Sequence, residues 1–210
     1  MKTRYHIQIT QKALFQHFSE QALQVIIKAN INQDRIKYQF GHDHFHFDGS
    51  AFKAGFAYIK DQEDLIIKNI KQEEFGEARK ALGRLTHTWQ DFYSHSNYVQ
   101  LWIEKNKDLP PERIIPADTA DLHRPDLRSG KNYGIIEFLA MVPGISNLIQ
   151  PHMPADSHAK MNLDSPASGI LFQFAYWAAY KQTIAVYDRL MLLFDNNGID
   201  QDKISLFKDQ

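Results

Sequence analysis

The sequence predicts an all-α protein, a single-domain helical bundle over residues 1–210 with one long helix at its centre. Apolar residues recur at helical spacing in several long stretches. The sequence shows neither the alternation of a half-buried strand nor the turn signals of a hairpin. It also has no internal repeat or low-complexity tract, and its 210 residues are enough for one sizeable core.

The N-terminal quarter of the chain predicts a helix, a loop and a second helix. Residues 9–30 keep apolar side chains at helical spacing, and Thr10 is the candidate N-cap. Residues 31–50 break this period and contain two glycines, which favours an irregular loop. A shorter helix is predicted over residues 51–70.

The central helix is predicted over residues 73–104, a stretch that contains no proline. An apolar stripe runs along it from Phe75 to Val99. His87, Asp91 and His95 form a second stripe, roughly 140° around the helix from the first. Because Tyr98 and Trp102 continue the second stripe, we expect the helix to be covered on both sides, by core and by a lined cleft.

The remainder of the chain alternates loops with helices. Residues 108–134 are rich in proline and predict a loop, and residues 152–168 predict another. Residues 135–150 are apolar and predict a helix interrupted at Pro143 and Gly144. Such a segment is too short to span a bilayer; burial in the core and contact with lipid or a partner both remain open. A strong C-terminal helix is predicted over residues 169–198.

Composition excludes several classes of function. The chain has 24 basic and 25 acidic residues and no basic stripe interleaved with aromatic residues, so binding of long nucleic acid is not expected. It has no cysteine, which excludes disulfides and thiolate metal ligands. The first ten residues lack the apolar segment of a secretory signal. The expected location is cytoplasmic, or secreted if a further N-terminal segment precedes this sequence.

Histidine and aspartate residues on the central helix and in four other segments are candidate metal ligands. Residues four apart on a helix are neighbours, so His87 and Asp91 can reach one cation. His95 lies about 12 Å along the helix from His87, which places it at a second ion or at a substrate. Imidazole combined with carboxylate suits zinc. A metal-free acid–base site would need only one histidine and one carboxylate, so the surplus favours a metal cluster. The candidate ligands are His6, Asp34, His46, His87, Asp91, His95 and His158.

The order and spacing of five segments resemble those of the zinc-dependent phospholipase C superfamily, which also contains fungal single-strand nucleases. The segments are "HIQITQKAL", "ANINQD", "HFHFDG", "LGRLTHTWQDFYSHSN" and "SHAKMNLDSP", and together they span residues 6–165. The central block is most similar to the heterokaryon-incompatibility Het-C branch of that superfamily.

The resemblance implies which residues hold which zinc ion. It places Asp34, His46, His87 and Asp91 on the first zinc ion, with Asp91 shared with a second ion held by His6. A third ion at His95 and His158 is left open, as is whether Asn162 or Asp164 would complete it. Two Zn²⁺ ions are expected.

The resemblance also implies an activity, hydrolysis of a phosphoester by a hydroxide that bridges two zinc ions. Asp34 and Asp91 are the candidate catalytic residues, and the expected substrate is a phospholipid or a small phosphorylated metabolite. Two alternatives remain: a zinc-dependent Lewis-acid enzyme of a biosynthetic pathway, and a non-catalytic, metal-stabilised interaction or toxin module of the Het-C type. The oligomeric state is not predicted.

Several residues near the candidate ligands are expected to have supporting roles. Asp48 is placed to orient an imidazole through its free ring nitrogen. His42 and His44 are expected near the ligands or at the surface. Gln90, Ser94 and Asn97 are expected to be polar surface or local hydrogen-bonding residues.

Overall fold

The structure, a computed structural model, describes residues 1–35, 38, 41–142 and 144–209. It confirms the all-α fold, because the described residues form helices and two isolated bridges but no strand. In chain order the helices are α1 Thr3–Leu14, α2 Glu20–Ile31, α3 Asp43–His46, α4 Phe52–Lys71, α5 Phe75–His95, α6 Tyr98–Lys105, α7 Thr119–Leu122, α8 Ile135–Met141, α9 Ser146–Ile149, α10 His158–Met161, α11 Ile170–Asn196 and α12 Gln201–Lys208. Short 3₁₀ turns connect several of them, including Asn32–Asp34 and Asp48–Ser50.

Helix α5 lies at the centre and packs against α2, α4 and α11. Both of its predicted stripes are buried: Leu82 and Phe92 lie in the apolar core, and His87 and Asp91 are equally inaccessible. The prediction that this helix is covered on both sides is therefore confirmed. The apolar core continues as one cluster from Met1 to Phe207.

The predicted helix over 73–104 is wrong in one respect, because it is two helices. α5 ends at His95, and Ser96 has extended backbone angles (φ −97°, ψ 166°) before α6 begins. The Ser96 hydroxyl donates to the carbonyl of Phe92 at 2.5 Å, which occupies an acceptor at the helix end. Neither proline nor glycine marks this break, so the sequence pattern carried no stop signal.

The predicted helix over 9–30 is also two helices. α1 begins at Thr3 rather than after Thr10, which is buried inside it. α2 has Ser19 as its N-cap, and the Ser19 hydroxyl accepts from the amide of Ala22 at 3.1 Å. This cap satisfies one of the free amides of the first turn and separates the two helices.

The helices predicted over 51–70 and 169–198 are confirmed as α4 and α11. The segment over 135–150 is interrupted as predicted, between the end of α8 and the start of α9. Pro143 itself lies outside the described residues. Helix α12 was not predicted.

Gly83 allows α2 and α5 to approach each other closely. A Cβ at this position would lie 2.8 Å from the Ala29 side chain and 2.9 Å from the backbone nitrogen of Asn30, both on α2. Only glycine leaves room for this contact. The contact brings α5 close to the C-terminal part of α2, one helical turn before His87.

A short loop, residues 128–131, connects three segments that carry candidate ligands. The amide of Gly130 donates to the carbonyl of His95 at 3.2 Å, and the carbonyl of Gly130 accepts from Gly49 at 2.7 Å. The amide of His158 donates to the carbonyl of Lys131 at 2.9 Å. The loop therefore holds the end of α5, the segment after α3 and the start of α10 together.

Among the described residues, no helix combines the length and the apolar character needed to cross a lipid bilayer.

Candidate metal centre

The structure brings all seven candidate ligands into one region. They come from α1, the turn after α2, α3, three positions on α5, and the first residue of α10. Ring centroids lie 4.4 Å apart for His6 and His87 and 4.4 Å apart for His95 and His158. The His46 ring lies between these pairs, 5.1 Å from His87 and 6.4 Å from His95.

Asp91 lies at the middle of this cluster and is completely buried. Its Oδ2 faces one set of nitrogens, 2.8 Å from His46 Nδ1 and 3.0 Å from His87 Nε2. Its Oδ1 faces another set, 3.2 Å from His6 Nε2 and 2.5 Å from the amino nitrogen of Met1. Each carboxylate oxygen therefore has its own group of nitrogen partners.

Asp34 completes the group around His87. Its Oδ1 lies 3.7 Å from His87 Nε2, and Thr3 donates to its Oδ2 at 3.3 Å. His6, Asp34, His87 and Asp91 each offer one ligand atom, and these atoms lie within 4.8 Å of one another. His46 joins this group through His87 Nε2, 3.2 Å from its Nδ1.

His95 and His158 form a second group with Asp48, again within 4.8 Å of one another. His158 Nδ1 donates to Asp48 Oδ1 at 2.8 Å, the kind of contact predicted for Asp48. His95 Nε2 also lies 3.9 Å from Asp91 Oδ1, so the two groups are neighbours.

The structure distinguishes the two residues left open for this second group. The Asn162 side chain donates to the carbonyls of His158 and Ala159, so it caps α10. Asp164 instead places its Oδ1 3.1 Å from His95 Nε2. Asp164 is therefore the better placed of the two, with Asp48 as an additional carboxylate.

His42 and His44 belong to neither group within the described residues. The His42 ring stacks on Phe45 at 4.9 Å, and the His44 ring lies against Tyr58 at 5.6 Å.

Buried carboxylates and imidazoles change one another's pKa values. Burial alone would raise the pKa of Asp91, but the Met1 ammonium and the imidazoles of His95, His87 and His6 hold it well below its usual range. Burial lowers the pKa of His87 to about 4, despite the nearby carboxylates. At neutral pH, Asp91 is therefore ionised and His87 neutral, the protonation states that a metal ligand needs.

The second group is more strongly ion-paired. Burial opposes the charge of His158, but Asp48 and Asp164 raise its pKa to about 9. Burial likewise opposes the charge of Asp164, and the Met1 ammonium and His95 lower its pKa below the usual range. A metal ion in this group would have to displace a proton from His158.

Two contacts show that the residues fit a cation. His6 Nδ1 donates to Gln90 Oε1 at 2.6 Å, and His95 Nδ1 donates to the carbonyl of His46 at 3.0 Å. In a neutral ring the other nitrogen, Nε2, then carries a lone pair. His6 Nε2 faces Asp91 Oδ1 and forms no hydrogen bond. A lone pair opposite a carboxylate oxygen requires a cation or a proton between them.

The Met1 amino group supplies positive charge at this place in the structure. It is buried, 2.5 Å from Asp91 Oδ1 and 3.0 Å from Asp164 Oδ1. Burial opposes its charge, but Asp164, Asp91 and Asp34 raise its pKa to about 11. Of the buried ring nitrogens without a hydrogen-bond partner, His6 Nε2 faces Asp91, whereas His46 and His87 face Asp91 through their other nitrogen. The donor types, their burial and the unpartnered His6 Nε2 together fit zinc.

Gln90, Ser94 and Asn97 were predicted at the surface or in local hydrogen bonds, and the surface prediction is wrong because all three are buried. Gln90 is wholly buried, and its Nε2 donates to Thr10 at 3.0 Å and to Thr183 at 3.2 Å. It thus fixes the orientation of His6 from the neighbouring stripe of α5. The sequence signal for this role was the expectation that α5 is covered on both sides.

The second group opens onto a cleft of about 820 Å³. His46, His95 and His158 line its inner end, and two exposed lysines lie at its edges, Lys2 and Lys160. Residues of α8 and α9 form part of its wall. This volume is within the range of pockets that hold small molecules.

A family model described as the VWA7 N-terminal domain matches residues 4–123. Rat von Willebrand factor A domain-containing protein 7 is 32% identical over 80 residues, covering 38% of this chain. The match spans only 9% of the rat protein's length. No solved structure matches. The matched region contains every candidate ligand except His158 and Asp164.

Proposed function

This chain belongs to the VWA7 N-terminal domain family, and we propose that it is a zinc-dependent hydrolase of phosphoesters. The observation that carries the proposal is the geometry of Asp91: its Oδ2 faces the imidazoles of His46 and His87, and its Oδ1 faces the imidazole of His6 and the Met1 amino group. A buried carboxylate shared in this way is how two-metal hydrolases hold a pair of cations.

The ligand sets follow from these contacts. Asp34, His46, His87 and Asp91 would hold one zinc ion, and Asp91 with His6 a second. His95 and His158, with Asp48 or Asp164, would hold a third. Bound zinc would supply a Lewis acid for the phosphoryl oxygens and would lower the pKa of a coordinated water molecule.

The remaining contributions come from the protein itself. Asp91 supplies a negative charge that no solvent shields, because it is completely buried. Gln90 Oε1 and the carbonyl of His46 each accept a hydrogen bond from an imidazole Nδ1 and so direct Nε2 of His6 and His95 toward the centre. Lys2 and Lys160, at the cleft, attract a phosphate group.

The exposed surface beside the cleft favours a phospholipid as the substrate. Four large aliphatic side chains are exposed on α8, on α9 and at the residue before α9: Ile135 is 78% and Leu148 73% exposed, and Ile136 and Ile145 accompany them. The same two helices form part of the cleft wall. An exposed aliphatic patch beside a phosphate-sized cleft suits contact with a membrane surface without spanning it.

The test compares two phosphodiesters with zinc-loaded protein: water-soluble bis(p-nitrophenyl) phosphate and a phosphatidylcholine vesicle. The parent should hydrolyse both, and Asp91→Asn should hydrolyse neither. Replacing Ile135 and Leu148 together by serine should reduce hydrolysis of the vesicle but not of the soluble ester.

Three results would contradict parts of the proposal. Equal loss on both substrates in the Ile135/Leu148 double variant would exclude the lipid surface but not the hydrolase. Activity in Asp91→Asn would exclude the shared carboxylate. Zinc bound at the centre without hydrolysis of either ester would favour a metal-stabilised interaction module.

A further inference from the structure

A second cavity lies between α2, α3, α4 and α5 and has a volume of about 360 Å³. None of its lining residues belongs to either ligand group. Its connection to the metal centre is Gln33, a lining residue that directly precedes Asp34 and accepts from the Tyr58 hydroxyl at 2.9 Å.

The polar lining of this cavity is cationic. Lys28 from α2 and Lys80 and Arg84 from α5 all border it, and no carboxylate is among the described lining residues. The Arg84 side chain donates to the neutral amide of Gln62 at 2.7 Å, and Lys80 forms an ion pair with Glu77 at 2.6 Å. Within the described part of the chain, neither Arg84 nor Lys28 has a carboxylate ion-pair partner. The field in the cavity therefore favours an anion.

The rest of the lining is apolar and aromatic. The rings of Phe45 and Tyr58 lie 4.5 Å apart at an angle of 37° and form one wall. The small side chains of Val25 and Ala29 lie on α2 and leave space in front of these rings. The His42 ring stacks on Phe45, but Phe45 and Tyr58 are both partly accessible, so a flat group can contact the exposed part of this wall.

We propose that this cavity binds a small anion that carries a flat aromatic ring, such as an aryl sulfonate or an aryl phosphate, at a site separate from the metal centre. The ring packs against Phe45 and Tyr58, and the acidic group faces Lys28, Lys80 and Arg84. Neither feature alone selects this ligand class. An inorganic anion leaves the aromatic wall without a contact, and a neutral ring leaves Lys28 and Arg84 without an anionic partner.

The experiment uses naphthalene-1-sulfonate, which has no phosphoester to hydrolyse. Its binding is measured by calorimetry beside a neutral ring, naphthalene-1-methanol, and a ring-free anion, methanesulfonate. We expect one sulfonate per chain, bound about tenfold more tightly than either control, with an affinity that falls as salt is added.

Variants locate the bound probe. Replacing Lys28 and Lys80 together by glutamine should weaken binding about tenfold, because it removes two of the three cations that border the cavity. The matched control replaces Lys53 and Lys60, two exposed lysines of α4 outside the cavity, and should leave binding unchanged. Phe45→Leu keeps the charges but removes a ring, and should weaken binding about fivefold.

Binding should persist in the presence of chelator, since the cavity contains no metal ligand. Loss of binding on chelation would place the probe at the metal centre and overturn the proposal. Equal affinity of the parent and the Lys28/Lys80 variant would overturn it as well, and neither result depends on whether the protein is a hydrolase.

Discussion

Replacing Asp91 by asparagine tests the electrostatic centre of the molecule. The substitution keeps the shape of the side chain but removes its charge, and it places an amide N–H where an oxygen was. In the parent protein, Asp91 Oδ1 lies 3.2 Å from His6 Nε2, and Asp91 Oδ2 lies within 3.0 Å of one nitrogen of His46 and one of His87. Since Asp91 is completely buried, no water replaces the lost contacts.

The magnitude has two parts. Without metal, removing one partner from a buried ion pair costs about 3 to 5 kcal/mol in the free energy of unfolding. With zinc at 100 times its dissociation constant, each site adds about 2.7 kcal/mol to the parent, so two sites add about 5 kcal/mol. For a protein of this size, the zinc contribution corresponds to roughly 10 to 20 °C in Tm.

The assay measures Tm with zinc and with chelator, together with zinc content by mass spectrometry. Chelator should lower the Tm of the parent by at least that amount, and that of Asp91→Asn by no more than an ion at His95 and His158 contributes. The control is Asp64→Asn, the same change at an exposed pair with Lys60, which should behave as the parent does. An Asp91→Asn protein with the parent's zinc content and the parent's response to chelator would refute the shared-carboxylate reasoning.

Two further predictions concern residues that support the centre. Gln90→Leu should lower the free energy of unfolding by about 2 to 4 kcal/mol even in chelator, because it leaves buried donors unpaired. It should also weaken zinc affinity about 10- to 100-fold. Gln90→Glu keeps the acceptor for His6 Nδ1 and should restore most of the zinc affinity. Zinc titration measures these affinities, and equal affinity in Gln90→Leu and the parent would contradict the role of Gln90 in orienting His6. Gly83→Ala should destabilise the protein by about 1 to 3 kcal/mol in urea denaturation, since its Cβ would meet α2. Gly76→Ala, in the same helix with open space around it, should be neutral or gain up to about 1 kcal/mol; equal effects of the two changes would count against the close helix contact.

The fold class and the central helix were predictable because the spacing of apolar residues indicates which side chains are buried. The stripe of His87, Asp91 and His95 was visible for the same reason, since three polar residues at helical spacing on a covered helix must face something polar. The helix ends were not predictable in the same way. The break at Ser96 depends on one hydroxyl bonding to the carbonyl of Phe92, which no proline or glycine announces.

The supporting residues of the centre were less visible than the ligands. Gln90 looks like a solvated glutamine in the sequence, and its burial depends on α1, α2 and α11 all supplying partners. The place of Asp164 opposite His95 likewise depends on the path of residues 162–168, which spacing alone does not determine. Tertiary packing, rather than local pattern, decided both positions.

The most direct test of the shared carboxylate is anomalous diffraction at the zinc absorption edge from crystals of protein purified without chelator. Two anomalous peaks are expected, one within bonding distance of Asp91 Oδ2 and His87, the other within bonding distance of Asp91 Oδ1 and His6. An absence of anomalous density at both Asp91 oxygens in zinc-saturated crystals would contradict it.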